Sequence, residues 1–292
     1  MTIGRLAPTP SGGLHLGNAR TFLVAWLSAR AAGGRVKPGY VEQALEDLRW
    51  LGLDWDGEPL YQSCRSDAYA AALEKLRVAG LAYPCVCSRR EIELASRAPH
   101  AGEDEPVYSR VCRGKFRDAS HAQECSGRVP AWRFAVRDEE RSVAFDDALH
   151  GRCEFGVDDF VIFRNDGVSA YQLATVVDDY FQGVTEVVRG DDLLRSTARQ
   201  VLLFRALNLP VPKFLHVPLV LDATGERMAK RRDSARLAAL REAGVAAARV
   251  VGALAASCGW AKPGECAMPK ELVGRFNLAV LPREPVRITL GA

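Results

Sequence analysis

The stretch RLAPTPSGGLHLGNARTFLVAWL, residues 5–27, decides the fold. Thr2-Ile3-Gly4 leads into it and supplies a short strand that runs on through Ala7, while Phe22, Leu23, Trp26 and Leu27 recur at the i, i+4 interval of a helix face. Between them lies a turn rich in Pro, Ser and Gly, so His15 and Gly17 fall where a strand hands over to a helix N-terminus. The unpaired amides and positive dipole end of a first helical turn attract phosphate oxygens. An imidazole there adds a donor for developing phosphate charge. A histidine that merely caps the turn accounts for the same residue equally well at this point.

Outward from that turn, the bulk properties set bounds. The chain has 292 residues, 48% of them hydrophobic, enough for one large domain or two modest ones with buried cores. No run approaches the roughly 18 uninterrupted apolar residues of a membrane span, and the N-terminus lacks a signal-peptide layout, so the expected compartment is the cytoplasm. A net charge of +3 is too weak to declare a nucleic-acid binder. The basic residues do cluster locally: Arg227, Lys230, Arg231, Arg232, Arg236, Arg241 and Arg249 face only Asp233 and Glu242, a stretch that suits a polyphosphate or an RNA backbone as well as a solvated helix face. Eight cysteines without a secretory signal argue for buried thiols or metal ligands over a disulfide framework.

Along the chain, Gly33-Gly34 stops the first helix and Pro38 opens the next, carried by Val41, Leu45, Leu48 and Leu51 to Gly52. A parallel sheet needs a second strand after the first helix, yet residues 33–39 contain no strand-like run. A further helix spans about Asp67 to Val78 and closes at Gly80. The segment around Cys85-Val86-Cys87 mixes cysteines with charged and turn-forming residues, a small core that a metal would hold together. FVIFRNDGVSAYQLATVVDD, residues 160–179, reads as two apolar runs joined by a hairpin turn at Asn165-Asp166-Gly167. TEVVRGDDLLRSTARQVLLFRALNL gives strand, turn and helix with Asp191 or Asp192 as cap, HVPLVLD is one more strand, and the last fifty residues read as helical.

Taken in order, His15-Leu16-Gly17-Asn18, AYQLATVVDD, VVRGDDLL and Arg227-Met228-Ala229-Lys230 resemble the motifs of class I glutamyl-type aminoacyl-tRNA synthetases, above all their short relatives, the glutamyl-queuosine tRNA(Asp) synthetases. The first looks like the family's HIGH motif and the last like its KMSKS loop, with Ala229 in place of the serine. The resemblance implies an α/β, Rossmann-like class I catalytic core with a zinc-binding insertion and a helical C-terminal portion. On that basis residues 1–80 form the first half of the core, 81–130 the insertion, 131–235 the second half with the KMSKS-like loop, and 236–292 a helical portion without an anticodon-binding domain.

The same resemblance implies roles. His15, Gly17, Asn18, Met228 and Lys230 bind ATP, with His15 and Lys230 acting on the charge that builds as pyrophosphate leaves. Arg5, Leu6, Ala7, Pro8, Thr9, Tyr171 and Arg189 bind L-glutamate, a guanidinium being able to pair with two carboxylate oxygens and to reject a neutral amide. Cys85, Cys87, Tyr108 and Cys112 hold one structural Zn2+, with Cys125 as the rival fourth ligand. Mg2+ comes with ATP, and the acceptor is queuosine-containing tRNA(Asp), the enzyme acting as a monomer.

The chain departs from the family where an R-x-E-D-type strand, whose glutamate helps bind the substrate amino group, should follow the first helix. Loss of a central strand would leave backbone donors exposed, so about a dozen residues missing between Gly34 and Lys37 is the expectation. Two other functions stay open: a truncated glutamyl-tRNA synthetase charging the tRNA 3′ end, and an inactive paralogue that binds RNA or a protein partner.

Overall fold

A computed structural model describes residues 1–8, 13–38, 42–95, 108–222, 225, 236–288 and 290. The chain opens with β1 (Ile3–Leu6) and α1 (Leu16–Ala31), as the opening stretch predicts. It then departs from expectation. Arg35–Pro38 form a second strand, β2, parallel to β1 in the register Ile3 to Arg35 through Leu6 to Pro38, so Pro38 ends a strand and opens no helix. A parallel crossover strand therefore does follow the first helix. It escaped notice because Arg35 and Lys37 face outward and Val36 alone contributes a fully buried aliphatic side chain. Gly34 makes so abrupt an entry possible: a Cβ there would sit 2.1 Å from the Thr2 carbonyl oxygen, a distance no side chain tolerates.

There follow α2 (Glu42–Trp50), α3 (Ser66–Val78), β3 (Ala82–Cys85), α4 (Arg89–Ala95), α5 (Ala119–Ser126) and β4 (Ala131–Phe134). Next come β5 (Ser142–Asp147), β6 (Gly151–Gly156), β7 (Phe160–Phe163), α6 (Tyr171–Phe181), β8 (Glu186–Gly190), α7 (Leu194–Ala206) and β9 (Lys213–Val217). The C-terminal portion holds β10 (Val220–Leu221), α8 (Leu237–Glu242), α9 (Ala247–Ser257), α10 (Pro269–Leu272) and β11 (Val286–Arg287), the last a strand within the region read as helical.

The expected hairpin at residues 160–179 is half a hairpin. The turn forms, with Gly167 at φ 80° and the Arg164 amide donating to the Val168 carbonyl, but the returning arm makes a single bridge, Phe163 to Ser169, and then winds into α6. Leu173, Ala174, Val176 and the Asp178-Asp179 pair all lie on buried faces of that helix. A short apolar run does not separate strand from helix by periodicity alone. At the start of α7 a 3-10 turn over Asp191–Leu193 intervenes, and the N-cap is Leu193 instead of either aspartate.

The sheet order is β6-β5-β9-β8, with β8 and β9 parallel, and β1 stands beside β8 through Thr185. The Thr185 amide donates to the Ile3 carbonyl and its hydroxyl accepts from the Ile3 amide, both at 2.9 Å. Alternate residues of β8 and β9 enter different cores, as the two-residue strand period requires. Val188 and Leu215 pack with α1, α2 and the C-terminal helices, while Val187 and Phe214 pack with α6 and α7. Both faces are thus covered, the arrangement of a parallel α/β sheet. Strands β3, β4 and β7 make a separate antiparallel sheet, beside which Cys85, Tyr108 and Cys112 form a third small core. No helix among the described residues is long and apolar enough to cross a membrane.

Candidate active site

The order of strands reverses between β1 and β8, and the crevice beyond their carboxyl ends is where an open α/β sheet takes ligands. A cavity of about 380 Å3 lies there, lined by Arg5, Ala7 and Pro8 after β1, by His15, Gly17 and Asn18 at the start of α1, and by Tyr171, Arg189 and Asp192 opposite. Leu6, between Arg5 and Ala7, points the other way and is fully buried in the core. Thr9, Met228 and Lys230 lie outside the described residues.

His15 is the N-cap of α1. Its Nδ1 accepts from the amides of Gly17 at 3.1 Å and Asn18 at 3.3 Å, and the Asn18 side chain accepts from the His15 amide in return. With the Nδ1 lone pair engaged, a neutral ring carries its proton on Nε2. Capping and ligand binding are therefore not rivals: the cap fixes the tautomer that leaves Nε2–H as a donor. The first turn of α1 carries no acidic side chain, so the positive end of the helix is not neutralised from within. Gly17 is needed for the cap, because a Cβ there would come within 3.0 Å of the imidazole Cε1. Asp47 of α2, whose carboxyl is pushed above the usual range by burial, braces this turn by accepting the Leu14 amide.

Two guanidiniums occupy the other side. Arg5 donates through Nε to Asp179 at 2.8 Å, and both residues are buried. Burial lifts the Asp179 carboxyl above its ordinary range, while the guanidiniums of Arg5 and Arg189 pull it back toward the anion. Arg189 donates to His216 Nε2 at 3.1 Å, Gln200 Oε1 at 2.7 Å and the Thr197 hydroxyl at 2.6 Å. His216 in turn meets Asp147 at 2.7 Å through Nδ1. Each arginine thus spends some donors on the protein and keeps the rest of its five N–H groups for the cavity it lines. Tyr171, at the first turn of α6, is half exposed and close enough to act on the charge of Arg189.

The third constellation is the cysteine knuckle. The Sγ atoms of Cys85, Cys87 and Cys112 all lie within 4.8 Å of one another. Cys87 and Cys112 are 3.5 Å apart, and Tyr108 Oη is 3.2 Å from Cys85 Sγ and 3.9 Å from Cys87 Sγ. A tetrahedral zinc with bonds of about 2.3 Å to sulfur sets ligand separations of about 3.8 Å, so these four atoms already sit near the corners. Burial pushes the Cys87 thiol up to about 12, and a divalent cation is what would let thiols so closely packed ionise together. Tyr108 Oη accepts the Cys112 amide, which suits a phenolate, and Cys125 is exposed on α5 outside the cluster. Arg133 lies against the knuckle, its Nε 3.3 Å from Cys85 Sγ and its guanidinium 3.8 Å from the Tyr108 ring centre.

The family model of the catalytic domain of class I tRNA synthetases (E and Q) matches residues 2–281. The chain belongs to this family. It is 48% identical over 312 aligned positions to the glutamyl-Q tRNA(Asp) synthetase of Symbiobacterium thermophilum, covering 99% of this chain and 96% of that one. It is 45% identical to the protein of the same name from Nitratidesulfovibrio vulgaris, covering 98% and 95%. Among solved structures, a glutamate tRNA ligase from Elizabethkingia meningosepticum superposes with a TM-score of 0.80 at 24% identity, covering 99% of this chain and 67% of that one, and establishes the fold. A glutamate-tRNA synthetase from Elizabethkingia anophelis gives 0.79 at 25% identity.

As a class I tRNA synthetase the chain works with ATP and Mg2+, and its cysteine cluster is compatible with zinc. Strand β2 of this synthetase reads Arg35-Val36-Lys37-Pro38 and has no acidic residue, so the carboxylate expected there for a substrate amino group is absent from that strand. Among the described residues lining the cavity, the carboxylate is Asp192. Sequence reading missed Asp147, Asp179, Thr197, Gln200 and His216. Asp179 had a local signal, an acidic pair ending an apolar run, whereas His216 lies inside β9; the expected single strand HVPLVLD is split by Pro218 and Leu219 between the end of β9 and β10.

Proposed function

We propose that the chain joins L-glutamate to ATP to give glutamyl-adenylate and then passes the glutamyl group to the queuosine of tRNA(Asp). One observation carries the reading: Arg5 and Arg189 reach into a cavity whose facing wall is the capped, electropositive start of α1. A dicarboxylic amino acid and a triphosphate are what those two walls recognise. The curated relatives named above support the acceptor, and the chain spans nearly their whole length.

In the first step a glutamate carboxylate oxygen attacks the α-phosphorus in line, and the bond to pyrophosphate breaks. His15 Nε2–H, the positive end of α1 and the Lys230 ammonium meet the charge that gathers on the leaving group, while the Gly17 and Asn18 amides hold the imidazole in place and Met228 lies against the nucleotide. Arg5 and Arg189 with the Tyr171 hydroxyl hold the glutamate side chain, the backbone from Arg5 to Thr9 its main-chain atoms, and Asp192 the ammonium. In the second step a queuosine hydroxyl attacks the acyl carbon, the ester forms and AMP departs. A wider cleft of about 940 Å3, lined by Arg89, Arg128 and Arg164 and sharing Tyr171 with the first cavity, gives the acceptor room to approach. Cys85, Cys87, Tyr108 and Cys112 would hold one zinc, whose part would be to brace this small core and not to act on the substrates.

The test is twofold. Purified protein should catalyse glutamate-dependent exchange of pyrophosphate into ATP without tRNA, and should label tRNA(Asp) only when queuosine is present. Label lost when the 3′-terminal adenosine is removed from the tRNA would instead identify a 3′-charging enzyme, and an absence of exchange with retained, salt-sensitive RNA binding would identify an inactive paralogue.

A further inference from the structure

We propose that His216, fixed by Asp147, is a positioning residue that sets the orientation of Arg189 toward the substrate carboxylate. The inference rests on the reading of Arg189 as a glutamate ligand. Arg189 and His216 are paired neighbours on the parallel strands β8 and β9, and Asp147 ends β5 on the far side of β9. The His216 and Asp147 side chains are 0% exposed.

Asp147 is saturated with donors. One oxygen takes the amides of Leu149 and His150, each at 2.9 Å, and the other takes the amide and Nδ1 of His216 at 2.9 and 2.7 Å. A carboxylate so surrounded stays ionised and requires a hydrogen on His216 Nδ1. The tautomer that follows bares Nε2, which accepts Arg189 Nε. The Thr197 hydroxyl accepts Arg189 Nη2 and lies 2.9 Å from His216 Nε2 and 3.1 Å from the Leu193 carbonyl to which it can donate, and Gln200 takes Nη1. Contacts on all three nitrogens leave the guanidinium no freedom to rotate in its plane. A positive imidazole would instead turn an N–H toward the guanidinium and repel it, so the neutral ring is the competent one; the other charged or titratable neighbour is His150.

The experiment compares His216→Leu with His216→Gln and adds nitrogen NMR of the wild-type imidazole. The Leu variant removes the acceptor, whereas the Gln amide oxygen can stand near the place of Nε2. Expected are a glutamate KM raised roughly 10- to 100-fold in the Leu variant, an ATP KM within about twofold of wild type, and recovery to within about fivefold in the Gln variant. The NMR spectrum should show protonated Nδ1 and bare Nε2. A proton on Nε2, or equal shifts of both KM values in both variants, overturns the proposal. Should the Leu variant not fold, the Gln variant and the wild-type spectrum decide. Should wild type show no glutamate-dependent exchange, the glutamate reading falls, and the tautomer still decides whether His216 holds Arg189.

Discussion

His15 and Arg236 face each other across an antiparallel β-bridge, and beside it the Leu237 amide donates to the Leu14 carbonyl at 2.9 Å. The chain leaves the cavity wall at Leu219 and Val220 and comes back to the same helix start at Arg236. The described residues on either side of the segment that carries Met228 and Lys230 are therefore both anchored beside the proposed phosphate site.

Lys230→Ala should slow glutamate-dependent pyrophosphate exchange by roughly 2–4 kcal/mol in barrier, the scale of one lost donor to transition-state charge. Glutamate KM should move less than about twofold. Exchange at the wild-type rate would remove Lys230 from the mechanism.

At His15 the cap and the ligand contact separate by substitution. His15→Asn keeps a good N-cap but loses the Nε2–H donor, so thermal stability should stay near wild type while exchange falls roughly 10- to 1,000-fold. His15→Ala should lose both, with about 1 kcal/mol of stability. Paired melting curves and exchange assays check this, and equal activity in the Asn variant would leave His15 a cap alone.

Gly17→Ala should raise the ATP KM, since the new methyl group would press within 3.1 Å of both Cε1 and Nδ1 of the imidazole that Gly17 helps to cap. The glutamate KM, set across the cavity, should hold. Steady-state kinetics with each substrate varied in turn distinguishes the two.

Metal analysis of purified protein should find about one zinc per chain. Cys112→Ser should abolish most of it and cost several kcal/mol of stability, because metal binding and folding of so small a core are one event. Cys125→Ser should change neither, its thiol being exposed and apart from the cluster. Zinc retained in the first variant and lost in the second would reverse the ligand assignment.

Acid should weaken the fold through His216. Burial holds its pKa below the ordinary 6.5, with the Asp147 hydrogen bond opposing and the Arg189 charge adding to the shift. Between those two values the unfolded chain binds a proton that the folded chain does not, so stability falls as pH drops through that window, by up to about 1.4 kcal/mol per unit. Asp147, whose carboxyl is held low by His216 and by backbone amides in spite of burial, adds a second loss as pH falls below 3.8. Melting curves at pH 7, 6 and 5 should fall more steeply for wild type than for His216→Gln.

The site was legible where its chemistry is local. A glycine-bearing turn between a strand and a helix declares itself in a few residues, and Cys85, Cys87, Tyr108 and Cys112 lie within one short stretch of sequence, 85–112. What the sequence hid was held over long separations: Arg5 meets Asp179 across 174 residues, and His216 meets Asp147 across 69. No periodic window spans such distances, and a polar residue inside an apolar strand reads as noise until its partner is placed. Strand β2 was hidden for another reason, its outward charges and terminal proline masking a ladder that backbone geometry supplies.

The clasp at Thr185 has a mechanical meaning. It fastens β1 to the edge of β8 at the end remote from the mouth, whereas Arg5 and Arg189 stand on the two lips of the seam. A carboxylate gripped by both lips would act as a second rivet. The two halves would then melt as one, at a temperature that climbs with substrate concentration.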